Sequence, residues 1–397
     1  MTPAARIAAA IEILDRYLAG APVEQVLTTW GRGNRFAGSK DRAAIRDYVF
    51  DALRCRRSFA ALGGEETGRG LMIGALRAKG SEPEEFFTGE RHAPPHLGDV
   101  EKAISTRYPD LAEAVALDCP DWLEAPLRQS LGHDFVAVMQ ALRRRAHVFL
   151  RVNLRKGDLA TARAALNREG IVAVPNDLSP TALEVVENPR RVVRSDAFAR
   201  GMIEVQDAAS QAVTDALPLA DGQRVLDLCA GGGGKTLAMA GRAAARFFAH
   251  DASPERMRDL PVRAARAGVA VTLLDEDAPE RAGPFDLVLC DAPCSGSGAW
   301  RRSPEGKWRL TSNMLADLTE TQAGILDRAA GLVSGGGHLA YVTCSLLDVE
   351  NGAQVEAFVS RHPEWRVSAR RRLTPLDGGD GFFLAVLTRK KAGLPAT

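Results

Sequence analysis

Two cysteines occupy the positions best suited to covalent chemistry in this sequence. Cys294 lies in Asp-Ala-Pro-Cys-Ser-Gly-Ser-Gly (291–298), and Cys344 lies in Tyr-Val-Thr-Cys-Ser (341–345). Each motif follows an apolar run that predicts a strand, so both thiols are expected at the ligand-binding edge of a parallel sheet. A thiolate is a nucleophile that can form a covalent bond with a substrate, although a lone cysteine at such a place is more often a small buried apolar residue. Two of them at adjacent strand ends favour a reactive pair.

A glycine-rich turn precedes both cysteines in the chain. The strand that begins at Arg224 ends in Asp-Leu-Cys-Ala-Gly-Gly-Gly-Gly-Lys-Thr (227–236), which leads into a helix. Glycines permit a tight turn and a close approach of the backbone to a ligand, and a helix N-terminus attracts negative charge. Asp251 ends the next strand, where an acidic side chain commonly binds ribose hydroxyls. The pattern indicates an adenosine-containing cofactor.

A phosphate-binding loop is the alternative for the same turn. Gly234, Lys235 and Thr236 match the end of the GxxxxGK[ST] pattern, and Asp291 ends a strand that could hold a metal ion. The first glycine of that pattern, however, would fall at Cys229. A nucleoside triphosphatase is therefore disfavoured, and thermal stabilisation by ATP alone would be its signature.

The cysteines and the turn must be held by a series of alternating strands and helices. This series predicts a doubly wound, mostly parallel sheet that binds ligands at the carboxyl ends of its strands. The strand candidates are Arg224 to Cys229, Arg246 to Asp251, Val269 to Leu274, Phe285 to Asp291, His338 to Cys344 and Phe382 to Thr388.

Two other regions precede this sheet. Helical periodicity dominates residues 1–62, where one apolar stripe comprises Ile7, Ile11, Leu14 and Leu18. A small α/β unit follows, with a helix at 158–168 and strand candidates at 149–154, 171–174, 183–186 and 192–193. This unit is unusually basic, and its run of cations is explained equally well by a solvated face and by contact with an RNA backbone. The cations are Arg143, Arg144, Arg145, Arg151, Arg155, Lys156, Arg190, Arg191 and Arg194.

Composition agrees with a multidomain globular enzyme. The chain has 397 residues, 46% of them hydrophobic and 25% charged, which predicts two or three domains. Six cysteines without a CxxC pair predict reduced thiols and no zinc site. Charged residues interrupt the first apolar segment, and no uninterrupted apolar run is long enough to span a membrane. A cytoplasmic protein is expected, and the net charge of +1 does not decide for or against nucleic acid.

The ordered motifs around the cysteines resemble those of the RsmB/NOP/Sun family of RNA 5-methylcytosine methyltransferases. The resemblance spans Glu204 to Lys390, and the joint order and spacing of its motifs are highly specific although any one motif is weak. The motifs are Val-Gln-Asp-Ala-Ala-Ser (205–210), the turn at 227–236, Asp-Ala-Pro-Cys (291–294), Arg-Ser-Pro-Glu-Gly-Lys-Trp (302–308), Thr-Cys-Ser (343–345) with Glu350 and Asn351, and Gly-Asp-Gly-Phe-Phe (379–383). One departure is Gly232, where the family usually has proline.

The resemblance implies a fold and a domain organisation. Residues 1–130 would form a helical NusB-like domain, and residues 131–203 a small basic α/β, RRM-like module that binds RNA. Residues 204–397 would form a methyltransferase domain dependent on S-adenosylmethionine. Its expected fold is α/β: a Rossmann-like class I domain with a mixed, mostly parallel seven-stranded sheet.

The resemblance also implies roles for the residues of the site. Cys344 would be the attacking thiol, Cys294 would assist release of the covalent adduct, Asp291 would bind the cytosine edge, and Lys235 would lie beside them. The chemistry requires such a thiol, because C5 of cytosine is a poor nucleophile until a thiolate adds to C6. The residues expected to bind the cofactor are Cys229, Ala230, Gly231, Gly232, Gly233, Gly234, Lys235, Asp251, Arg256, Asp277 and Asp291.

The resemblance implies RNA as the partner, with 16S ribosomal RNA as the first candidate, bound by a monomer without a metal ion. Transfer RNA and 23S ribosomal RNA are alternative substrates, and a catalytically silent RNA-binding scaffold is the non-enzymatic alternative. The target base must be unpaired or flipped out, because C6 is inaccessible in a stacked helix. Cations and an aromatic residue after Cys294 are expected to contact the RNA, although Trp308 is equally suited to a core position. These residues are Arg301, Arg302, Lys307, Trp308 and Arg309.

Overall fold

The computed structural model describes residues 1–104 and 110–390. The chain divides into two compact units. The first comprises Met1–Arg145 and Trp300–Arg309, and the second comprises Ala146–Ala299 and the chain from Leu310 onward. No helix in the described part of the chain is both long and apolar enough to cross a membrane.

The first unit is helical, as the periodicity predicts. Its first helix is capped by the Thr2 side chain, which accepts a hydrogen bond from the amide of Ala5. Ile7 and Leu14 of the predicted stripe are fully buried in the core of this unit, and Ile11 and Leu18 pack against it. The helices up to residue 145 are α1 (Pro3–Leu18), α2 (Val23–Gly33), α3 (Ser39–Arg54), α4 (Arg56–Gly63), α5 (Gly68–Ala78), α6 (Asp99–Ala103), α7 (Glu113–Ala116), α8 (Asp121–Leu131) and α9 (Phe135–Leu142).

The segment that follows the Cys294 motif belongs to this helical unit. The Lys307 ammonium is buried and donates to the carbonyl oxygen of Arg54 at 3.1 Å. The Trp308 indole donates to the carbonyl oxygen of Leu53 at 2.6 Å, and Arg301 is also buried. Lys307 is therefore not placed to contact RNA, because its buried ammonium bonds within the unit. Trp308 is half-buried, and contact of the other residues with RNA stays a prediction.

The second unit begins with a four-stranded antiparallel sheet. Its strand order is β2-β3-β1-β4, and its elements follow one another as β1 (Val148–Val152), α10 (Leu159–Arg168), β2 (Val172–Pro175), β3 (Ala182–Glu187), α11 (Asp196–Ala199) and β4 (Ile203–Val205). Three of the four predicted strands are present. The strand predicted at Val192 and Val193 is wrong, because Pro189 begins a 3-10 turn that buries Val192 and leaves Val193 exposed. The fourth strand is instead β4, which pairs with β1.

The larger sheet of this unit has seven strands in the order β10-β11-β9-β8-β5-β6-β7, and β11 is antiparallel to both neighbours. The mixed, mostly parallel sheet that the sequence predicts is confirmed. Its elements are α12 (Ala208–Asp215), β5 (Arg224–Asp227), α13 (Gly234–Arg242), β6 (Arg246–Ala249), α14 (Leu260–Ala267), β7 (Val271–Leu273), α15 (Ala278–Ala282), β8 (Phe285–Asp291), α17 (Ser312–Leu332), β9 (Val333–Thr343), α18 (Gly352–Arg361), β10 (Trp365–Leu373) and β11 (Phe382–Arg389), while α16 (Pro304–Arg309) lies in the first unit.

Strand β10 was not among the six strand candidates. It lies at the edge of the sheet, and only Trp365 and Leu373 at its two ends are buried. The residues between them are exposed or half-buried and include three consecutive arginines (370–372). The apolar alternation that marks a half-buried strand is therefore missing from this segment.

Candidate active site

The two cysteine motifs follow neighbouring parallel strands. Asp291 at the end of β8 pairs with Val342 of β9, so the loops that follow these strands leave the same edge of the sheet. The Sγ atoms of Cys294 and Cys344 lie 3.5 Å apart, and both residues are half-buried. The structure thus brings together the two thiols that the sequence places at adjacent strand ends.

The contact between the thiols affects the protonation of Cys294. The hydrogen bond with Cys344, followed by burial and by the negative charges of Cys344 and Glu350, raises the pKa of Cys294 well above its ordinary value. Cys294 is therefore a protonated thiol at neutral pH, able to donate to the Cys344 sulfur. A donor at this position stabilises a thiolate on Cys344.

A buried ion pair adjoins the thiols. The ammonium of Lys235, in the first turn of α13, donates to Oδ2 of Asp291 at 2.7 Å and lies 4.9 Å from the ring centre of Phe382. Burial lowers the pKa of Lys235, but the charge and hydrogen bond of Asp291 and the charge of Cys344 outweigh it, so the net pKa is raised. Lys235 is thus a cation at neutral pH, paired with Asp291.

The glycine-rich turn is closed by Asp251. Gly231 and Gly233 have φ angles of +50° and +77°, and the amide of Gly231 donates to Asp251 Oδ2 at 2.9 Å. Arg256 lies 3.1 Å from the same oxygen, and its side chain is 60% exposed. A Cβ on Gly233 would come 2.2 Å from the Leu260 side chain, which accounts for glycine there. These four predicted cofactor residues therefore form one cluster.

Gly232 is less constrained than its neighbours. It stands where the family usually has proline, and a Cβ there would come 2.9 Å from the guanidinium of Arg263, which is the flexible end of that side chain. Arg263 also donates to the carbonyl oxygen of Gly232. The turn is thus held from outside by an arginine in addition to its own backbone.

Three other predicted cofactor residues occupy different surroundings. Cys229 is half-buried, and burial raises the pKa of its thiol, so it is an uncharged residue lining the turn. The amide of Ala230 donates to the carbonyl oxygen of His250 at 2.9 Å, which fixes the start of the turn against β6. Asp277 is exposed just before α15, and its contact with adenine stays a prediction.

Asp227 is a buried acid beside the turn that the sequence did not single out as a site residue. It ends β5 at 1% exposure and accepts a hydrogen bond from the Thr236 hydroxyl at 2.6 Å on Oδ2. Its Oδ1 has no hydrogen-bond partner among the described residues. Burial raises the pKa of Asp227 to about 7, the Thr236 hydrogen bond opposing it. A buried acceptor beside the turn fits a donor group such as the ammonium of a methionine moiety, so the residues present fit S-adenosylmethionine.

Glu350 is a second residue whose role only the structure shows. Its carboxylate is fully buried and accepts hydrogen bonds from the Ser295 amide at 2.8 Å, from the Ser295 and Ser345 hydroxyls and from the Gln322 amide at 3.0 Å. Ser295 follows Cys294 and Ser345 follows Cys344, so one carboxylate ties together the loops that carry both thiols. The Glu350-Asn351 motif marks this position in the sequence, but its spacing does not indicate that the Glu350 carboxylate joins the two loops.

Three cations of the basic run donate hydrogen bonds within the second unit. Arg151 donates to the carbonyl oxygen of Gly234 at 2.8 Å, and Arg155 donates to that of Ala240 at 2.7 Å. Lys156 donates to the carbonyl oxygens of Arg200 and Arg266. Arg151 is buried and is therefore not part of an RNA-binding surface. Arg155 and Lys156 are exposed, and their contact with RNA stays a prediction.

The strand order, the turn after the first parallel strand and the acid after the second define a Rossmann-like methyltransferase. The sequence profile of the family described as 16S rRNA methyltransferase RsmB/F matches residues 214–388, and that of an RsmF/B-like ferredoxin-like domain matches residues 119–192. Ribosomal RNA small subunit methyltransferase B of Xylella fastidiosa is 36% identical over 288 residues, which are 68% of this chain and 67% of that protein. Its namesake in Klebsiella pneumoniae is 33% identical over 68% of this chain and 66% of that protein.

The chain belongs to the RsmB/F family of methyltransferases, and its cofactor is S-adenosylmethionine. The matches span about two thirds of the length of these relatives. Among solved structures, the crystal structure of PH0851 has a TM-score of 0.79 at 24% identity over 98% of this chain and 99% of that chain. NSun6 from Pyrococcus horikoshii with SFG has a TM-score of 0.60 at 19% identity over 69% of this chain and 99% of that chain. Both show the same fold, and the phosphate-binding alternative for the turn is wrong.

Proposed function

We propose that this protein methylates C5 of a cytosine in RNA, and that its substrate is the RNA of the small ribosomal subunit. The observation that carries the chemistry is the pair of thiols 3.5 Å apart beside the Lys235–Asp291 ion pair. The relatives that bear the name of a small subunit methyltransferase support the choice of RNA. Transfer RNA and the RNA of the large subunit are the alternative substrates.

Cys344 is the nucleophile in this proposal. Its thiolate forms a bond to C6 of cytosine, and the electrons of the C5–C6 double bond move toward C5 and the ring. Lys235 can stabilise the negative charge that develops there, while Asp291 binds the cytosine edge. The cofactor, when bound, supplies an electrophilic methyl group. C5 would bond to this methyl group as the methyl–sulfur bond of the sulfonium breaks and leaves its electron pair on that sulfur, while the ring remains attached to Cys344.

Release of the RNA is the second half of the reaction. A base removes the C5 proton, the electrons of that C–H bond re-form the C5–C6 double bond, and the bond from C6 to sulfur breaks, which returns Cys344 as a thiolate. Cys294 assists this step because its thiol is placed to donate to the departing sulfur. The hydrogen bond makes Cys344 a better leaving group.

The cofactor site in this proposal is the glycine-rich turn. The backbone from Cys229 to Gly234 would bind the methionine moiety, Asp251 and Arg256 the ribose side, and Asp277 the adenine. The cluster formed by the turn, Asp251 and Arg256 supports this assignment. We also keep the division into domains at 1–130, 131–203 and 204–397, and a cytoplasmic monomer, as parts of the proposal.

Bisulfite sequencing of total RNA from strains with and without the gene tests the reaction and the substrate together. We expect one 5-methylcytosine in small subunit RNA to disappear with the gene and to return with the wild-type gene. Loss of a site in transfer RNA or large subunit RNA would keep the chemistry and change the substrate. If no cytosine changed and the purified protein transferred no methyl group to RNA from the deletion strain, the silent scaffold would be the better description.

A further inference from the structure

Arg151 reaches from the small sheet into the glycine-rich turn. It lies on β1, and 7% of its surface is exposed. Its Nη1 donates to the carbonyl oxygen of Gly234 at 2.8 Å and to Oε1 of Gln206. Gly234 is both the last of the four glycines and the first residue of α13. The guanidinium therefore contacts the backbone of the turn itself.

This position is unfavourable for a cation in two respects. The N-terminal end of a helix carries partial positive charge, so a cation is less stable there than at the other end. Burial lowers the pKa of Arg151 to about 10, with the charge of Glu204 opposing the shift. An apolar side chain would fill the same space without either penalty, so packing alone does not account for an arginine here.

A second arginine of the small sheet region contacts the opposite end of α13. Arg155 donates from Nε to the carbonyl oxygen of Ala240 at 2.7 Å and from Nη2 to that of Ala243 at 3.2 Å. A cation is favourable at this end, because the last carbonyl groups of a helix carry partial negative charge. Arg155 thus joins the small sheet to the same helix without touching the turn.

We propose that Arg151 is a positioning residue for the cofactor, which holds the glycine-rich turn in its binding conformation through the carbonyl oxygen of Gly234. The small sheet then completes the cofactor site in addition to any part it has in RNA binding. Gln206 belongs to the same hydrogen-bond network, because its side chain accepts from Arg151 and donates to the Ser210 hydroxyl at 3.2 Å. This inference rests on the proposed placement of S-adenosylmethionine at the turn.

The test is calorimetric titration of S-adenosylmethionine into the full-length protein without RNA. We compare Arg151→Met and the milder Arg151→Lys with Arg155→Met as the matched control, and record the thermal midpoint of each. Loss of the Gly234 contact should weaken binding about tenfold, the equivalent of about 1.4 kcal/mol. Arg155→Met should lower the thermal midpoint as Arg151→Met does, yet keep the wild-type dissociation constant. In turnover, Arg151→Lys should raise KM for the cofactor more than it lowers kcat.

Two results would overturn the inference. In one, Arg151→Lys and Arg151→Met bind the cofactor as tightly as the wild type. In the other, Arg155→Met weakens binding as much as they do, which would mean that docking of the small sheet is all that matters. Should Arg151→Met not fold, Arg151→Lys decides alone. Asp251→Asn separates this failure from failure of the site: if it too binds normally, the cofactor is not at the turn.

Discussion

Cys294 Sγ lies 3.5 Å from Cys344 Sγ, and the two residues come from loops that are 50 positions apart in the chain. A contact this short allows one thiol to donate to the other, so the protonation state of Cys294 directly affects how readily Cys344 bonds and leaves. Each sulfur is therefore part of the environment of the other. Substitution of each cysteine in turn should therefore separate the two roles proposed for them.

Replacing either cysteine should stop turnover at a different stage. Cys294→Ala removes the donor that stabilises the departing thiolate, so we expect a protein–RNA adduct that survives denaturing gel electrophoresis. Cys344→Ala removes the nucleophile and should form no adduct. Reversed phenotypes would exchange the roles assigned to the two cysteines.

Lys235→Met should slow formation of the adduct. The ammonium that lies 2.7 Å from Asp291 would be lost, and with it a stabilising charge worth about 10²-fold in rate. The measurement is the rate of adduct formation in the Cys294→Ala background. Lys307→Met, which removes another buried ammonium but from the helical unit, should lower thermal stability and leave that rate unchanged. Equal rates in the two variants would remove Lys235 from the mechanism.

Glu350→Gln should lower turnover without weakening the binding of the cofactor. A glutamine cannot accept all the hydrogen bonds of the carboxylate, so the Ser295 and Ser345 loops would shift and kcat should fall about 10²-fold. The dissociation constant of S-adenosylmethionine should stay within about twofold, because the turn is untouched. Glu356→Gln, at an exposed position of the following helix, is the control. An unchanged kcat in Glu350→Gln would mean that turnover does not require the hydrogen bonds from the two loops to the Glu350 carboxylate.

The glycines of the turn should differ in their tolerance of alanine. Gly233→Ala places a Cβ at positive φ and 2.2 Å from Leu260, so it should weaken cofactor binding by about tenfold or more. Gly232→Ala meets only the mobile end of Arg263 and should bind within about threefold of the wild type. Titration calorimetry compares the two variants. A larger effect at Gly232 than at Gly233 would contradict the geometry of the turn.

Asp227 should make the stability of the protein depend on pH in the absence of cofactor. Its pKa of about 7 in the folded protein exceeds the ordinary 3.8, so the folded state binds the proton more tightly than the unfolded state. The resulting stabilisation is complete below about pH 3.8 and is lost as the pH rises through about 7. Urea unfolding measures the free energy of unfolding of the wild type and of Asp227→Asn at each pH. The difference, wild type minus variant, should therefore be larger at pH 5 than at pH 8. An equal difference at both pH values would mean that Asp227 titrates normally.

Much of the fold follows from local pattern. The six strands of the large sheet that were predicted are all present, because apolar runs followed by glycine or polar turns identify buried parallel strands. The missed strand, β10, is an edge strand in which arginines replace the apolar residues that mark the others. The two β-branched residues at 192 and 193 favour a strand locally, but Pro189 begins a 3-10 turn that includes them.

The sequence by itself determined that two thiols and an acid follow parallel strands, with a lysine in the helix that begins at the glycine-rich turn. Strand periodicity is local, and parallel strands must end at one edge, so these residues were bound to meet. Only the tertiary structure decided that the thiols of Cys294 and Cys344 lie in contact, that the Glu350 carboxylate joins their two loops, and that Arg151 bonds to the backbone of the glycine-rich turn. Those features depend on side-chain contacts between residues up to 83 positions apart, and no local pattern encodes such contacts.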